Sequence, residues 1–481
     1  MPRATRRRST PVETERAIYG QVVAAMDYPE PSSLIHHVTD ARAERLSPRD
    51  LVPRWKAAAS SASAEAAWNM YVHVPYCKSI CTFCNYKRLK VSSREALDEY
   101  VGFIEHEASL FAPALQEVSF GALYVGGGTP SVLSAEQLRR LMTALHASFT
   151  FADGAQKNFE FDPMVMTPDR YEVISSFGFT RYSFGIQSVD VDVNALHNRG
   201  RQRRGHLDKQ FELLSEHGAE SANVDFLLGL DGTTAAGMLS EIEEVLTKHR
   251  PYEVTVYFLH PTPAYVEAHF GGDFDRFKAH LAPFEKLIPD ALAELAPRID
   301  YAISGDGKHV INMSSTRRRA APTRAKSTRY HYCDVPSQVH RPLYLLGLGD
   351  SARSRIFGQL SYRAEHEADD RAPDSPRYVA STMTARDEMF AYLAFVFRDG
   401  DVLDRARFRR TFGMDVTEAL PRPIDKLQRL GVLVANDDAL CLVPQSRRDR
   451  MRDLLFFLPS GRRRELAADM RAKSQPVSSR G

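Results

Sequence analysis

Cysteine is scarce: the chain carries five in 481 residues, an odd number and a clustered one. That argues against a disulfide framework and for a reducing compartment. No apolar run approaches the roughly 20 residues that span a bilayer, and the opening MPRATRRRST has no apolar stretch of the kind a secretory signal needs. Glu13 and Glu15 follow its arginines closely, so a basic tail fits better than an organelle transit peptide. A cytoplasmic protein without a membrane partner is expected. An excess of one charge is also missing, because 63 Lys and Arg against 61 Asp and Glu leave a net +2. Such a balance supplies no general attraction to polyanions, and nucleic acid is not an expected partner. What remains, 43% hydrophobic and 26% charged residues, describes a soluble chain large enough for two or three cores.

Six short β-branched or aromatic runs recur between residues 70 and 260: MYVHV, ALYVGG, NFEFD, RYSFGIQ, NVDFLL and VTVYFL. Turn signals and helical patterns separate them. Between the second and third, Ser134 and Gln137 have capping-box spacing, and Leu138, Leu141, Met142 and Leu145 make one apolar stripe. Thr167 as N-cap with Pro168 behind it opens another helix. Repeated βα units require parallel strands with right-handed crossovers. Polar or glycine-rich residues follow every strand at the same end, which suits a partial (βα)6 TIM-like barrel of α/β class better than a doubly wound sheet. We therefore expect an N-terminal extension and linker over 1–69, the barrel over 70–300, an irregular basic substrate-side region over 301–380, and a small helical, winged-helix-like domain over 381–481. The third segment holds Arg317, Arg318, Arg319, Arg324, Lys326 and Arg329 without an acid among them, either a solvated loop or a site for substrate carboxylates or phosphates. In the last, RDEMFAYLAFVF and IDKLQRLGVLV read as amphipathic helices and VLVANDDALCLV as a hairpin.

Three of the five cysteines fall within eight residues, Cys77, Cys81 and Cys84 in CKSICTFC. Zinc normally takes four protein ligands when structural. His73 could be the fourth, but it lies on a strand four residues before Cys77, and paired Cys-x-x-Cys spacing is missing. Cys333 and Cys441 stand alone, as small buried hydrophobes do. A 4Fe–4S cluster gives the sharper reading, because three thiolates leave one of its four irons open.

The spacing Cys-x-x-x-Cys-x-x-Cys resembles the motif of radical S-adenosylmethionine (SAM) enzymes. In that family SAM chelates the fourth iron through its amino and carboxylate groups, and an electron from the cluster yields a 5′-deoxyadenosyl radical that abstracts hydrogen from a substrate. YVHVPYC, YVGGGTPSVL, FEFDP, RYSFGIQSVD with LHNRGR, and NVDFLLGL stand in the order and approximate spacing of the oxygen-independent coproporphyrinogen III oxidases and their relatives. The resemblance covers residues 70 to 260, and extends more weakly through LLGLGDSARS and the terminal helical domain. It implies a 4Fe–4S cluster on Cys77, Cys81 and Cys84, and one or two SAM molecules. Gly126, Gly127 and Gly128 would let backbone approach the methionine end of SAM, with Thr129 beside it. Glu160 would accept from the ammonium and Arg199 bind the carboxylate, each through a charge-assisted bond. Gln187 and Asp225 would hold the ribose hydroxyls, Phe83 would lie along the adenine, and Tyr71 near the sulfonium. An external electron donor such as flavodoxin or ferredoxin and a small-molecule substrate complete the set.

The chain departs from the coproporphyrinogen enzymes at several points. Tyr86 stands where they carry an additional cysteine, and their N-terminal Pro-Arg-Tyr-Thr-Ser-Tyr-Pro stretch is missing from residues 1–69. The His-Asn-x-x-Tyr-Trp motif of haem-chaperone relatives is also missing, and Asp350 replaces a usually small residue. By elimination the sequence favours C-methylation or cyclopropanation, with a second SAM as carbon donor. Coproporphyrinogen oxidation and non-catalytic haem delivery are the alternatives. His260, Tyr330, His331 and Cys333 could hold a planar or anionic substrate, or be structural.

Overall fold

The computed structural model describes residues 10–24, 43–305, 310–317, 341–365, 375–399, 402–444 and 447–458. All six expected strands form: β1 (Ala67–Val74), β2 (Ser119–Gly127), β3 (Thr150–Phe161), β4 (Arg181–Gln187), β5 (Ser221–Leu228) and β6 (Glu253–Phe258). They pair in parallel and in chain order. A seventh parallel strand, β7 (Leu343–Leu348), joins on the outer side of β1. The sheet is an open arc with two edges, so the α/β partial-barrel reading holds, with one more parallel strand than expected.

The connecting helices form for the expected reasons. Ser134 Oγ accepts from Gln137 N at 3.2 Å while Gln137 Oε1 accepts from Ser134 N at 2.9 Å. The stripe Leu138, Leu141, Met142 and Leu145 is buried against the sheet. Thr167 does precede the helix Pro168–Ser176, but its hydroxyl donates to Asp169 instead of capping a backbone N–H.

The described residues of 301–380 are not irregular. They supply β7 and the antiparallel strands Tyr301–Gly305, Val310–Ser315, Arg353–Ile356, Leu360–Ala364 and Tyr378–Thr382. The first two cover the β6 edge and the last three extend the β7 edge, so that thirteen strands of the described residues form one sheet. The physical reason is β7 itself. Every residue of LYLLGL is buried, and a strand covered on both faces has no apolar–polar alternation to read. Arg317 pairs with Asp300, whereas Arg318, Arg319, Arg324, Lys326, Arg329, Tyr330, His331 and Cys333 lie outside the described residues.

Nor is 1–69 a detached extension. Ala43–Leu46 pairs with Tyr378–Thr382 as the sheet's outermost strand. The helix Pro48–Ser61 buries Leu51, Trp55 and Ala58. Trp55 Nε1 donates to the Tyr362 hydroxyl at 2.7 Å. The helix Pro11–Ala24 packs against the far C-terminal helix Arg447–Leu454, where both oxygens of the buried Asp453 accept from Arg16 at 2.8 Å.

The C-terminal unit begins at Ala385 and has its own core, including Phe390, Leu393, Phe408, Leu427 and Phe456. Helices Ala385–Asp399, Arg405–Phe412 and Pro421–Arg429 pack with a small sheet of Val402–Asp404, Ala439–Leu442 and Leu433–Ala435, a winged-helix-like order. A buried ion pair between Glu388 and Arg355 ties it to the main sheet, with Glu388 also accepting from Gly358 N at 2.9 Å. Trp55→Ala would empty a fully enclosed site and strand the Tyr362 hydroxyl. It should cost about 3–5 kcal/mol, read as a lower urea midpoint for the main domain.

Candidate functional site

Because the seven strands are parallel, their C-terminal ends share one rim, and loops from the rim carry the candidate residues. The loop after β1 holds Cys77, Cys81 and Cys84, all free and partly buried. Its N-terminal half is locked to the glycine loop after β2: Gly128 N donates to Val74 O and Thr129 N to Tyr76 O, both at 2.8 Å. A Cβ on Gly128 would fall 2.7 Å from Pro75 O and 2.9 Å from Cys77 Sγ, so this approach admits no side chain. The Thr129 hydroxyl donates to Cys77 Sγ at 3.5 Å, and Arg199 Nη1 to Cys81 Sγ at 3.8 Å. Burial pushes both thiols up, against these two donors.

Arg199 Nη2 donates to Gly185 O and lies 3.9 Å from Asp162 Oδ2. Its Nε is buried and has no hydrogen-bond partner, an orphaned donor of the kind an anionic ligand satisfies. Across the lumen, Glu160 is held by two donors, the Tyr124 hydroxyl to Oε1 and Gly127 N to Oε2 at 3.0 Å. A Cβ on Gly126 would collide with Glu160 Oε2 at 2.6 Å.

Side chains of alternate residues face the lumen, and polar ones recur there. Asn223 Nδ2 donates to Asp225 Oδ1 at 2.8 Å, and the Thr255 hydroxyl donates to Asn223 Oδ1 at 3.0 Å. Burial, then nearby Glu160, drives the Asp225 carboxyl up to about 7 despite Asn223 and Arg199. Gln187, where β4 ends, has φ +67°, a left-handed conformation that a residue with a side chain adopts at a cost. Tyr71 shares a hydrogen bond with His73 Nδ1 at 2.8 Å, and burial lowers His73 to about 4.

The structure thus gathers Cys77, Cys81, Gly127, Gly128 and Thr129 in one network, with Arg199 reaching it from the far side, while Glu160 and Asp225 face each other electrostatically. Phe83 instead packs against the apolar cluster that includes Val193, Leu230 and Tyr265, its ring edge-on to His197 with centroids 6.1 Å apart. His260 is exposed at the rim. Tyr124, Asp162 and Asn223 were missed by sequence reasoning. Counting every second residue back from the glycine loop and the FDP and DFLL motifs would have found them.

The donor set fits both implied groups. Among the described residues, no three His, Cys, Asp or Glu side chains converge as one metal ion requires, whereas a cluster offers each thiolate a separate iron. The Arg199 guanidinium and the Glu160 carboxylate match the opposite charges of an amino-acid head group.

Asp225 gives a pH signature. Between the ordinary carboxylate value and about 7 the folded chain keeps a proton there that the unfolded chain has lost. Stability contributed by this group is therefore present at low pH and is lost as pH rises through that window. In metal-free protein, Asp225→Asn should abolish this component: the gain in Tm of the variant over wild type should grow between about pH 4.5 and about pH 7.5.

A model of the radical SAM superfamily matches residues 71–245. The oxygen-independent coproporphyrinogen III oxidase of Salmonella typhimurium is 30% identical over 196 residues, covering 40% of this chain and 42% of that protein. The anaerobic coproporphyrinogen III oxidase 1 of Cereibacter sphaeroides is 32% identical over 192 residues, 39% of this chain and 42% of that one. The chain thus spans about two fifths of the length of the coproporphyrinogen oxidases it matches. The heme chaperone HemW of Bacillus subtilis is 23% identical over 383 residues, 78% of this chain and 95% of that protein. The solved structure of coproporphyrinogen III oxidase from Escherichia coli superposes with a TM-score of 0.66 at 20% identity, over 84% of this chain and 92% of that one, which shows the shared fold. These likenesses correct the preference for methylation or cyclopropanation: the named relatives are coproporphyrinogen oxidases and a haem chaperone. With the rim geometry they give this chain a radical SAM domain over residues 71–245, similar to that of the coproporphyrinogen III oxidases and the HemW chaperone, with a 4Fe–4S cluster and SAM as its cofactors.

Proposed function

We propose that the protein oxidises a tetrapyrrole in the manner of an oxygen-independent coproporphyrinogen III oxidase, converting propionate side chains to vinyl groups with loss of carbon dioxide, each conversion giving one hydrogen atom to the 5′-deoxyadenosyl radical and one electron to an external one-electron acceptor. The observation that carries this reading is the placing of the three free rim thiols inside the radical SAM segment, 71–245, of a chain 30% identical over 196 residues to such an oxidase. When bound together, the cluster supplies an electron and SAM the 5′-deoxyadenosyl radical that removes a substrate hydrogen. Cys77, Cys81 and Cys84 hold the cluster. Arg199 uses its unpartnered Nε for the SAM carboxylate, and Glu160, oriented by Tyr124 and Gly127, receives the ammonium. Gly127, Gly128 and Thr129 shape the methionine end, Gln187 and Asp225 hold the ribose, and Tyr71 borders the sulfonium. Phe83, partly buried against its apolar cluster, would border the adenine. A one-electron donor such as flavodoxin or ferredoxin serves the cluster in the cytoplasm. Among the described residues no helix is long and apolar enough to cross a membrane.

A second reading, haem binding and delivery, is favoured by the match over 95% of the HemW chaperone. One anaerobic assay separates the two. Reconstituted protein with SAM, a reductant and coproporphyrinogen III should yield 5′-deoxyadenosine and a decarboxylated porphyrinogen by mass spectrometry. Stoichiometric haem binding with an untouched porphyrinogen would overturn the oxidase reading and support the chaperone.

Replacing Cys77, Cys81 or Cys84 by Ala should remove the cluster's visible absorbance and its iron. A normal 4Fe–4S spectrum in any of the three would refute the ligand assignment. Arg199→Met should retain iron but bind SAM about tenfold or more weakly, since hydrogen bonds to charged groups contribute ~1.5–3 kcal/mol. Equilibrium SAM titration checks this.

A further inference from the structure

Between Cys81 and Cys84 the loop carries Thr82, whose hydroxyl meets two imidazoles: His197 Nδ1 at 2.9 Å and His269 Nε2 at 3.1 Å. Its backbone N also donates to His197 O at 3.2 Å. The three partners come from successive rim elements. His197 follows the short helix Val191–Leu196 beyond β4, Asp231 follows β5, and His269 lies in the helix Pro263–Phe270 beyond β6.

Donor and acceptor counting fixes the protons. His197 Nε2 faces the Asp231 carbonyl at 3.0 Å, and a carbonyl only accepts, so the proton of His197 is on Nε2. Its Nδ1 is then an acceptor and takes the single hydroxyl hydrogen of Thr82. The Thr82 oxygen must accept from His269, which puts a proton on His269 Nε2. The other nitrogen, Nδ1, lies 3.4 Å from Asp231 Oδ2. The hydrogen bonds thus run in one direction, from His269 through Thr82 to His197 and on to the Asp231 carbonyl. The two rings lie 4.6 Å apart, and Tyr265 lies tilted against His269 at 4.5 Å while its hydroxyl accepts from Asp231 N at 3.0 Å. Val193, Leu230 and Phe270 enclose the group, and Phe83 seals it on the cysteine side. Cys77 has no share in this network, since the glycine loop and Thr129 hold it instead.

We infer that Thr82, His197, His269 and Asp231 form a positioning relay that holds the Cys81–Cys84 segment in its ligating shape before a cluster binds. None of the four touches the reacting atoms, and Thr82 acts through the cysteines on either side of it. The inference rests on the cluster reading for its purpose, although the relay is a property of the cluster-free chain.

The test is hydrogen exchange by mass spectrometry on reduced, cluster-free full-length protein, followed by anaerobic reconstitution with iron counting and EPR of the reduced cluster. Thr82→Val keeps the shape and deletes the hydroxyl. It should speed exchange across 81–84 about fivefold or more, leave the strands as protected as in wild type, and shift the EPR signal of the loaded protein. Thr82→Ser should restore both, and His269→Gln should reproduce the direction of Thr82→Val. Wild-type exchange and EPR in Thr82→Val, or failure of Thr82→Ser to rescue, would overturn the relay. Failure of wild type to load iron would instead overturn the cluster reading, with the exchange result on the cluster-free chain still deciding the relay.

Discussion

The site depends on one close approach, the backbone of Gly128 against Pro75 and Cys77. Two hydrogen bonds draw the loop after β2 onto the loop after β1, and only a residue without Cβ can occupy the point of contact. From that contact follow the position of Cys77, the reach of Thr129 to its sulfur, and the direction in which Gly127 presents its N–H to Glu160. The same economy recurs at Gly126, where the missing side chain makes room for the Glu160 carboxylate. A glycine run that reads as a tight turn thus acts as a molded surface between two strands.

Charge at the rim is distributed for a ligand more than for the chain's own stability. Arg199 is almost wholly enclosed, yet its contacts are a carbonyl, a thiol and a distant carboxylate, with one nitrogen left over. Glu160 raises the cost of ionising Asp225 in the same lumen. Buried charges with incomplete partners are expensive, and functional sites are where folds carry such costs. The surrounding scaffold is correspondingly over-determined. The arc is extended on both edges, Trp55 and Tyr362 fasten the N-terminal helix to the extension, and the Glu388–Arg355 pair fastens the C-terminal unit.

Chain ends and core are also more interwoven than a linear division suggests. The Pro11–Ala24 helix belongs with Arg447–Leu454, and Ala43–Leu46 with Tyr378–Thr382. The barrel segment alone would leave β1 without its outer neighbour β7, and with it a row of unpaired backbone groups.

The sequence by itself determined the six central strands, their parallel order and the rim, because strand periodicity, capping pairs such as Ser134 with Gln137, and turn glycines are local signals. It also determined the three-thiol loop, whose spacing carries the chemistry whatever lies around it. Tertiary structure decided the rest. LYLLGL is apolar on both faces and has no period to betray it, so only pairing with β1 makes it a strand. Residues 43–61 become part of the core because distant strands at 360–382 offer them an edge and a cavity. Arg199 gains its meaning from Cys81, 118 positions earlier, and Thr82 from His197 and His269, 115 and 187 positions away. Contacts over such separations leave no local pattern, and the fold alone brings their atoms within hydrogen-bond reach.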